Sequence, residues 1–193
     1  MDRARALDLA LLLPTLPLFL PAIGALALVA KLRQGGTVWF RQERLGKGGR
    51  TFSVYKIRTM TTEPDPKDRS VTPLGAWLRL RGLDELPQLL SVLVGDMRLV
   101  GPRPLTPADF ERLSTKHPRF AERLRVRPGL TGLAQACQSQ GIAQTSALEA
   151  GYAATRSAAL DLRILCRTAW MNVVGKRRGR WDATEWEARL AVA

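Results

Sequence analysis

The chain has 193 residues, 46% of them hydrophobic, and carries 30 Lys and Arg against 17 Asp and Glu, a formal charge of +13. That length allows one domain, or one domain with an anchor, around a real core, and that charge seeks nucleic acid, anionic lipid or phosphorylated ligands. Cys137, Cys166 and the single His117 have no ligand spacing for zinc, and the cysteines read as reduced residues of a cytoplasmic compartment.

From Leu9 to Ala30 there is no charged side chain, and at ~1.5 Å per residue the run reaches ~33 Å, enough to cross a hydrocarbon core. It is long for a signal-peptide h-region and lacks a convincing cleavage site after it. Arg3 and Arg5 precede it while Lys31, Arg33, Arg41 and Arg44 follow, so positive charge gives the orientation no direction. Pro14, Pro17, Pro21 and Gly24 interrupt the middle, and internal prolines remove backbone bonds and bend a helix. A spanning helix and a bent re-entrant one both remain open, with Asp8 and Arg5 expected to pair near the interface.

Thr37 to Glu43 and Thr51 to Arg58 read as strands, with Gly46, Gly48 and Gly49 supplying a hairpin turn. No GxxxxGK[ST] loop occurs. Lys56 and Arg58 are expected on one strand face with Arg41 and Arg44 opposite them, a basic surface that solvent alone could explain. Glu63 to Ser70, with Pro64 and Pro66, is a surface loop. Pro73 to Leu80 is a short helix feeding the next stretch.

That stretch, Arg79 to Asp96, holds the densest chemistry. Leu86, Leu89, Leu90, Leu93 and Val94 recur at helical spacing, and Pro87 belongs in a first turn, so a helix is expected to begin near Leu83 to Glu85. Asp84 and Glu85 then stand at its positive end, where the dipole favours their ionised forms. Arg79 and Arg81 lie just upstream, suited to phosphate. Ordinary helix capping by acids explains the pair equally well in isolation.

Beyond it, Pro102, Arg103 and Pro104 form a rigid loop of the kind that holds a ligand or merely connects. Pro107 to Lys116 and Arg119 to Arg125 are short helices. Arg125 to Gln135 returns Arg127 beside glycines, another phosphate candidate, and Gln138 to Thr145 is polar and weakly patterned. A long helix runs from Ser157 to Val174. Arg163, Arg167 and the run Lys176 to Arg180, with Trp181, suit anionic headgroups with the aromatic at interface depth. Interleaved stacking aromatics are lacking, so nucleic acid is not the expected partner.

In this order the pieces resemble the bacterial sugar transferase family, the small monotopic phosphoglycosyl transferases. The markers are Phe40 to Gly46, Tyr55 to Met60, Leu83 to Gln88, Gly95 to Met97, Val100 to Pro104 and Arg127 to Gly132. The resemblance implies a mainly helical α+β enzyme: an N-terminal re-entrant kinked helix at 1–33, a cytoplasmic catalytic domain with a small β-hairpin at 34–180, and a tail at 181–193. It implies transfer of a sugar 1-phosphate from a UDP-sugar to undecaprenyl phosphate, releasing UMP, at the cytoplasmic face of the bacterial inner membrane. Asp84 would be the nucleophile, forming a phosphosugar-aspartate intermediate, and Glu85 the ligand for Mg²⁺. Arg79 and Arg103 are the leading phosphate or nucleotide ligands, with Lys56, Arg58 and Arg127 behind them.

Pro21 matches the family's kink proline, although Leu20 stands where serine is usual. Inner-membrane lipids are expected partners, and a homo-oligomer is left open. The rival from another class is a non-catalytic basic membrane adaptor, which accounts for the charge but not for the Asp-Glu pair.

Overall fold

The computed structural model describes residues 3–65, 67–174 and 180–192. Two helices, α1 (Arg3–Leu12) and α2 (Leu16–Gln34), lead into an antiparallel hairpin of β1 (Trp39–Leu45) and β2 (Thr51–Ile57). There follow α3 (Pro73–Arg81), a 3-10 turn (Leu83–Glu85), α4 (Gln88–Val94) and β3 (Arg98–Val100). Next come α5 (Pro107–Lys116), a 3-10 segment (Pro118–Arg125) and β4 (Gly129–Thr131), then α6 (Leu133–Cys137), α7 (Gly141–Thr155), α8 (Ala158–Val174) and α9 (Ala183–Val192). The fold is mainly helical with two small sheets, the second a parallel pairing of β3 with β4. No spacing announced that pair, because each strand is only three residues long.

Residues Ala4–Gln34 are together long and apolar enough to cross a membrane, and mostly exposed. The helix is interrupted at the 3-10 turn Leu13–Thr15, not at Pro21, which lies inside α2. At the interruption the Leu16 N–H bonds Leu13 O, so Leu12 O loses its usual backbone donor. The Thr15 hydroxyl donates to it at 2.7 Å, a satisfaction that matters wherever water is absent.

The expected Arg5–Asp8 pairing does not form. Arg5 instead donates to Val92 O and, at 2.5 Å, to Leu93 O at the C-terminal end of α4, where exposed carbonyls attract a cation. Asp8 Oδ2 accepts from Arg98 Nε at 2.9 Å, and Arg98 Nη2 reaches both Asp161 Oδ2 on α8 at 2.9 Å and Ala4 O at 3.1 Å. Tyr152 on α7 donates to Asp161 Oδ1 at 2.6 Å and to Val100 O at 3.2 Å. At the other end of the apolar segment, the Gln34 side chain donates to Arg58 O at 3.1 Å and accepts from Thr72 Oγ1 at 2.8 Å. Both ends are thus fastened to the same globular body.

The main core joins Leu12, Val54, Leu89, Val92, Met97, Val100, Leu148 and Ile164, among others. In α4 the expected stripe is only partly inward: Leu89 and Val92 are buried, while Leu90 and Val94 are exposed. The 3-10 turn ahead of α4 has about 3.0 residues per turn instead of 3.6 and shifts the phase of the pattern. The polar stretch Gln138 to Thr145 runs into α7, and the residues read as a tail form α9, whose Leu190 lies against Gly151 closely enough that a Cβ there would sit 2.5 Å from it. Trp181 is not at a free interface: its N–H bonds Ala136 O at 3.0 Å and its ring packs with Trp186, centroids 4.9 Å apart. Most of the basic run, residues 176–179, lies outside the described residues.

Removing one partner of a buried ion pair leaves an uncompensated charge and costs about 3–5 kcal/mol. Arg98→Met strands two carboxylates, so a loss of that size is expected in denaturant unfolding of the detergent-solubilised chain. A loss below about 1 kcal/mol, the range of an exposed pair, would show that the network is not holding the fold.

Candidate active site

The site is built where the hairpin, the 3-10 turn and the loop after β3 converge. The register Phe40↔Lys56 and Arg44↔Phe52 puts Lys56 and Arg44 on one face, because strand side chains alternate. Arg41 pairs with Tyr55 on the opposite face and donates to Ser53 Oγ at 2.9 Å. The two strand arginines are three positions apart and cannot share a face.

Gly82 closes α3 in the left-handed conformation, φ 68°, and turns the chain into Leu83–Glu85. Successive residues of a 3-10 turn point about 120° apart, so the adjacent carboxylates enter different surroundings. Glu85 Oε1 accepts from Lys56 Nζ at 2.6 Å and from Arg103 Nη2 at 2.5 Å, and Arg103 Nη1 stands 3.4 Å from Oε2. These cations hold the Glu85 carboxyl below its ordinary range despite burial. Asp84 is 8% exposed, and burial, reinforced by the negative charge of Glu85, raises its pKa against the pull of Lys56 and Arg79. The expectation that a helix end would favour ionisation of both is corrected for Asp84: desolvation outweighs the neighbouring cations.

Two cavities meet here. One, of about 650 Å³, is lined by Lys56, Arg69, Arg79, Asp84 and Glu85 together with Trp39 and Phe40. The other, of about 960 Å³, is lined by Glu85, Arg123, Gln135, Thr145 and Glu149 and by apolar residues including Leu130 and Ile142. Gly82, Glu85 and Arg103 lie on both walls. Arg79 Nε donates to Thr59 Oγ1 at 2.8 Å, which holds the guanidinium beside the first cavity.

Arg58 is buried, and its guanidinium donates to Thr37 O, Met60 O and Gly35 O at 2.6, 2.8 and 2.6 Å. Although it borders the smaller cavity, these carbonyls make it a staple between α2 and the hairpin, which argues against a phosphate role. Arg127 borders neither large cavity; its backbone supports the loop, with Arg127 O 2.5 Å from where a Cβ on Gly101 would lie.

Arg123 and Glu149 were not singled out by sequence. Arg123 Nη2 donates to Arg103 O and to Glu149 Oε1, the latter at 3.1 Å. Burial lifts the Glu149 carboxyl to about 7, past the opposing pull of Arg123 and the Arg103 N–H. The available signal was one acid between Leu148 and Ala150, in an otherwise apolar stretch of helix.

Residues 3–175 match the family model for bacterial sugar transferases. The chain belongs to the bacterial sugar transferase family. It is 41% identical over 181 residues to the UDP-glucose:undecaprenyl-phosphate glucose-1-phosphate transferase of Caulobacter vibrioides, covering 86% of this chain and 68% of that protein. It is 43% identical over 148 residues to the uncharacterized sugar transferase EpsL of Bacillus subtilis, covering 72% of each. A UDP-N-acetylgalactosamine-undecaprenyl-phosphate N-acetylgalactosaminephosphotransferase of Aeromonas hydrophila is 38% identical over 139 residues, covering 68% of this chain but 33% of that protein.

In this sugar transferase, blocks far apart in sequence deliver Lys56, Asp84, Glu85 and Arg103 to one place. Among the described residues no group of three His, Cys, Asp or Glu side chains could cage a metal. Mg²⁺ is usually held through one or two carboxylates plus substrate phosphates, and Glu85 suits that mode: Oε1 takes the two short bonds, leaving Oε2 with one long contact.

The two carboxyls should titrate displaced in opposite senses, Asp84 above its ordinary value and Glu85 below its own. Lys56→Met should move Asp84 further up, since a lowering charge is lost. Glu85→Gln should move it down, since a raising charge is lost. Carboxyl-carbon NMR titration checks both signs; shifts in the same direction would contradict this electrostatic arrangement.

Proposed function

We propose that the chain is a phosphoglycosyl transferase that moves a sugar 1-phosphate from a UDP-sugar to undecaprenyl phosphate and releases UMP. The observation that carries this reading is the placement of a buried Asp84 beside a cation-clamped Glu85 where two cavities meet. The names of the Caulobacter and Aeromonas relatives support the same donor and acceptor classes.

Asp84 is the nucleophile. Its raised pKa reflects a desolvated carboxylate, more basic than one in water and therefore more reactive once ionised. An Asp84 oxygen bonds the sugar-bearing phosphorus while the bond from that phosphorus to the bridging oxygen breaks, and UMP leaves with the electron pair. An oxygen of undecaprenyl phosphate then bonds the same phosphorus, and the Asp84 carboxylate is released unchanged. Arg79 and Lys56 offset phosphate charge from the smaller cavity, and Arg103 contacts the nucleotide phosphates where the cavities join. Glu85 and the diphosphate oxygens would hold Mg²⁺, which neutralises charge on the diphosphate and so favours departure of the nucleotide.

The apolar segment is re-entrant in this reading, entering and leaving by the cytoplasmic face of the bacterial inner membrane. Asp8 and Gln34, near its two ends, both bond the same globular body. A spanning helix would hold them on opposite sides of the bilayer, out of reach of one water-facing domain. The break at Leu13–Thr15 supplies the bend, with the Thr15 hydroxyl covering the freed carbonyl.

The test is UMP release by detergent-solubilised protein with Mg²⁺, undecaprenyl phosphate and a panel of UDP-sugars. Wild type should release UMP with one or more donors, and incubation with donor alone should leave a phosphosugar mass on Asp84. Asp84→Asn should abolish both, because an amide cannot act as this nucleophile. Turnover at the ordinary rate in that variant would sink the covalent role. Glu85→Gln should lower the rate and weaken the Mg²⁺ dependence together, and an unchanged metal titration would remove Glu85 from the metal site. Lipid binding lost at modest salt, with no turnover on any donor, would instead point to the adaptor.

A further inference from the structure

The reaction proposed above passes twice through the same phosphorus, and each displacement places attacking and leaving oxygens roughly in line. UMP departs opposite Asp84 in the first step. The lipid phosphate must attack opposite Asp84 in the second, from the side that UMP vacated. UMP and lipid phosphate therefore use one cavity in turn, whereas the sugar remains through both steps and needs a space that neither enters.

The two cavities differ in the ways this division requires. The smaller one carries Lys56, Arg69 and Arg79 and opens among Thr37, Trp39 and Phe40, which follow directly on the apolar segment. The two aromatics there are 48% and 41% exposed. Cations beside exposed aromatics at the membrane anchor suit a nucleotide and then a lipid phosphate. The larger cavity is also lined by Arg81, Arg103 and Arg123, the last two paired with Glu85 and Glu149. It combines them with amides and a hydroxyl (Gln135, Gln138 and Thr145) and the apolar surfaces of Leu130, Ile142 and Met171, the mixture that takes a polyhydroxylated ring.

Within that wall Glu149 is 4% exposed. Its Oε1 accepts from Arg123, whereas Oε2 has no partner in hydrogen-bonding geometry, although the Arg103 N–H lies near the carboxyl. A buried carboxylate oxygen without a donor is the exception in folded proteins and calls for an explanation. We propose that the sugar of the donor occupies the larger cavity and that one of its hydroxyls donates a hydrogen bond to Glu149 Oε2, making Glu149 a specificity-determining residue. This rests on the phosphoglycosyl transferase reading.

The experiment uses the full chain in detergent and pairs the preferred UDP-sugar with deoxy analogues, each lacking one hydroxyl. Wild type should lose about tenfold or more in kcat/KM on one analogue, since a site built to bind a hydroxyl strongly rejects its absence. Glu149→Gln should lose a comparable factor on the full donor and little more on that analogue. Inhibition by UMP and the KM for undecaprenyl phosphate should stay as in wild type. An equal loss on every donor and analogue would mean that Glu149 only supports Arg123 and would overturn the proposal. Weakened UMP inhibition would overturn it too, by placing the nucleotide in this cavity.

If Glu149→Gln does not fold, Thr145→Val on the same wall must change discrimination across the deoxy series, and a uniform effect there overturns the proposal equally. Absence of lipid-dependent UMP release in wild type would be failure of the underlying reaction instead, and reads separately from any of these outcomes.

Discussion

A guanidinium that is 3% exposed is viable only if its neighbours supply acceptors, and Arg98 obtains three acceptors from two helices at once. Asp8 and Ala4 come from α1 and Asp161 from α8, while Tyr152 on α7 ties Asp161 back to the strand that carries Arg98. Buried ion pairs are poor sources of net stability. What this one fixes is position: α1, α7 and α8 can each be satisfied only in one arrangement about β3. Because α1 opens the apolar segment, the same contact decides how the anchor meets the body of the enzyme.

From Arg98 the chain reaches Arg103 in five residues, and each step is held. A Cβ on Gly129 would lie 2.0 Å from Gly101 N, and one on Gly132 would lie 2.2 Å from Gly101 O. Three glycines therefore let β3 and β4 approach closely enough to pair in parallel over so short a length. The Tyr152 hydroxyl takes Val100 O, and Arg123 takes Arg103 O. The Pro-Arg-Pro loop is consequently fixed from behind by two side chains, and the Arg103 guanidinium reaches Glu85 from a backbone that need not be ordered when substrate arrives.

Much of this was legible. The hairpin and the helices at Pro73–Arg81, Pro107–Lys116 and Ala158–Val174 follow from turn residues and periodicity, and the meeting of Lys56, Asp84, Glu85 and Arg103 from the family resemblance. What escaped depended on partners remote in sequence. Nothing around Asp8 in the sequence points to a partner 90 positions away, whereas Arg5 lies within one helical turn. Arg58 reads as part of a basic strand face and a phosphate candidate, because the carbonyls at the end of α2 that engage it are remote in sequence. Leu20 offers the anchor no hydroxyl at Pro21, yet the break lies around Pro14 and Pro17, where Thr15 has one.

The Asp-Glu pair illustrates a further limit of reading neighbours as equals. Two adjacent acids in a sequence carry the same nominal chemistry, and a helix dipole would push both the same way. In the 3-10 turn they part company. Glu85 turns to Lys56 and Arg103 and is kept ionised, whereas Asp84 is buried with its pKa raised. Environments that shift two carboxyls in opposite directions suit them to different tasks: a charged group can organise cations and phosphates, and a desolvated, more basic one can attack. In the proposed reaction this arrangement would also protect the nucleophile. With Lys56 held by Glu85, Asp84 feels its field without the direct ion pair that would quench it, and the division of labour follows from one left-handed glycine and one tight turn.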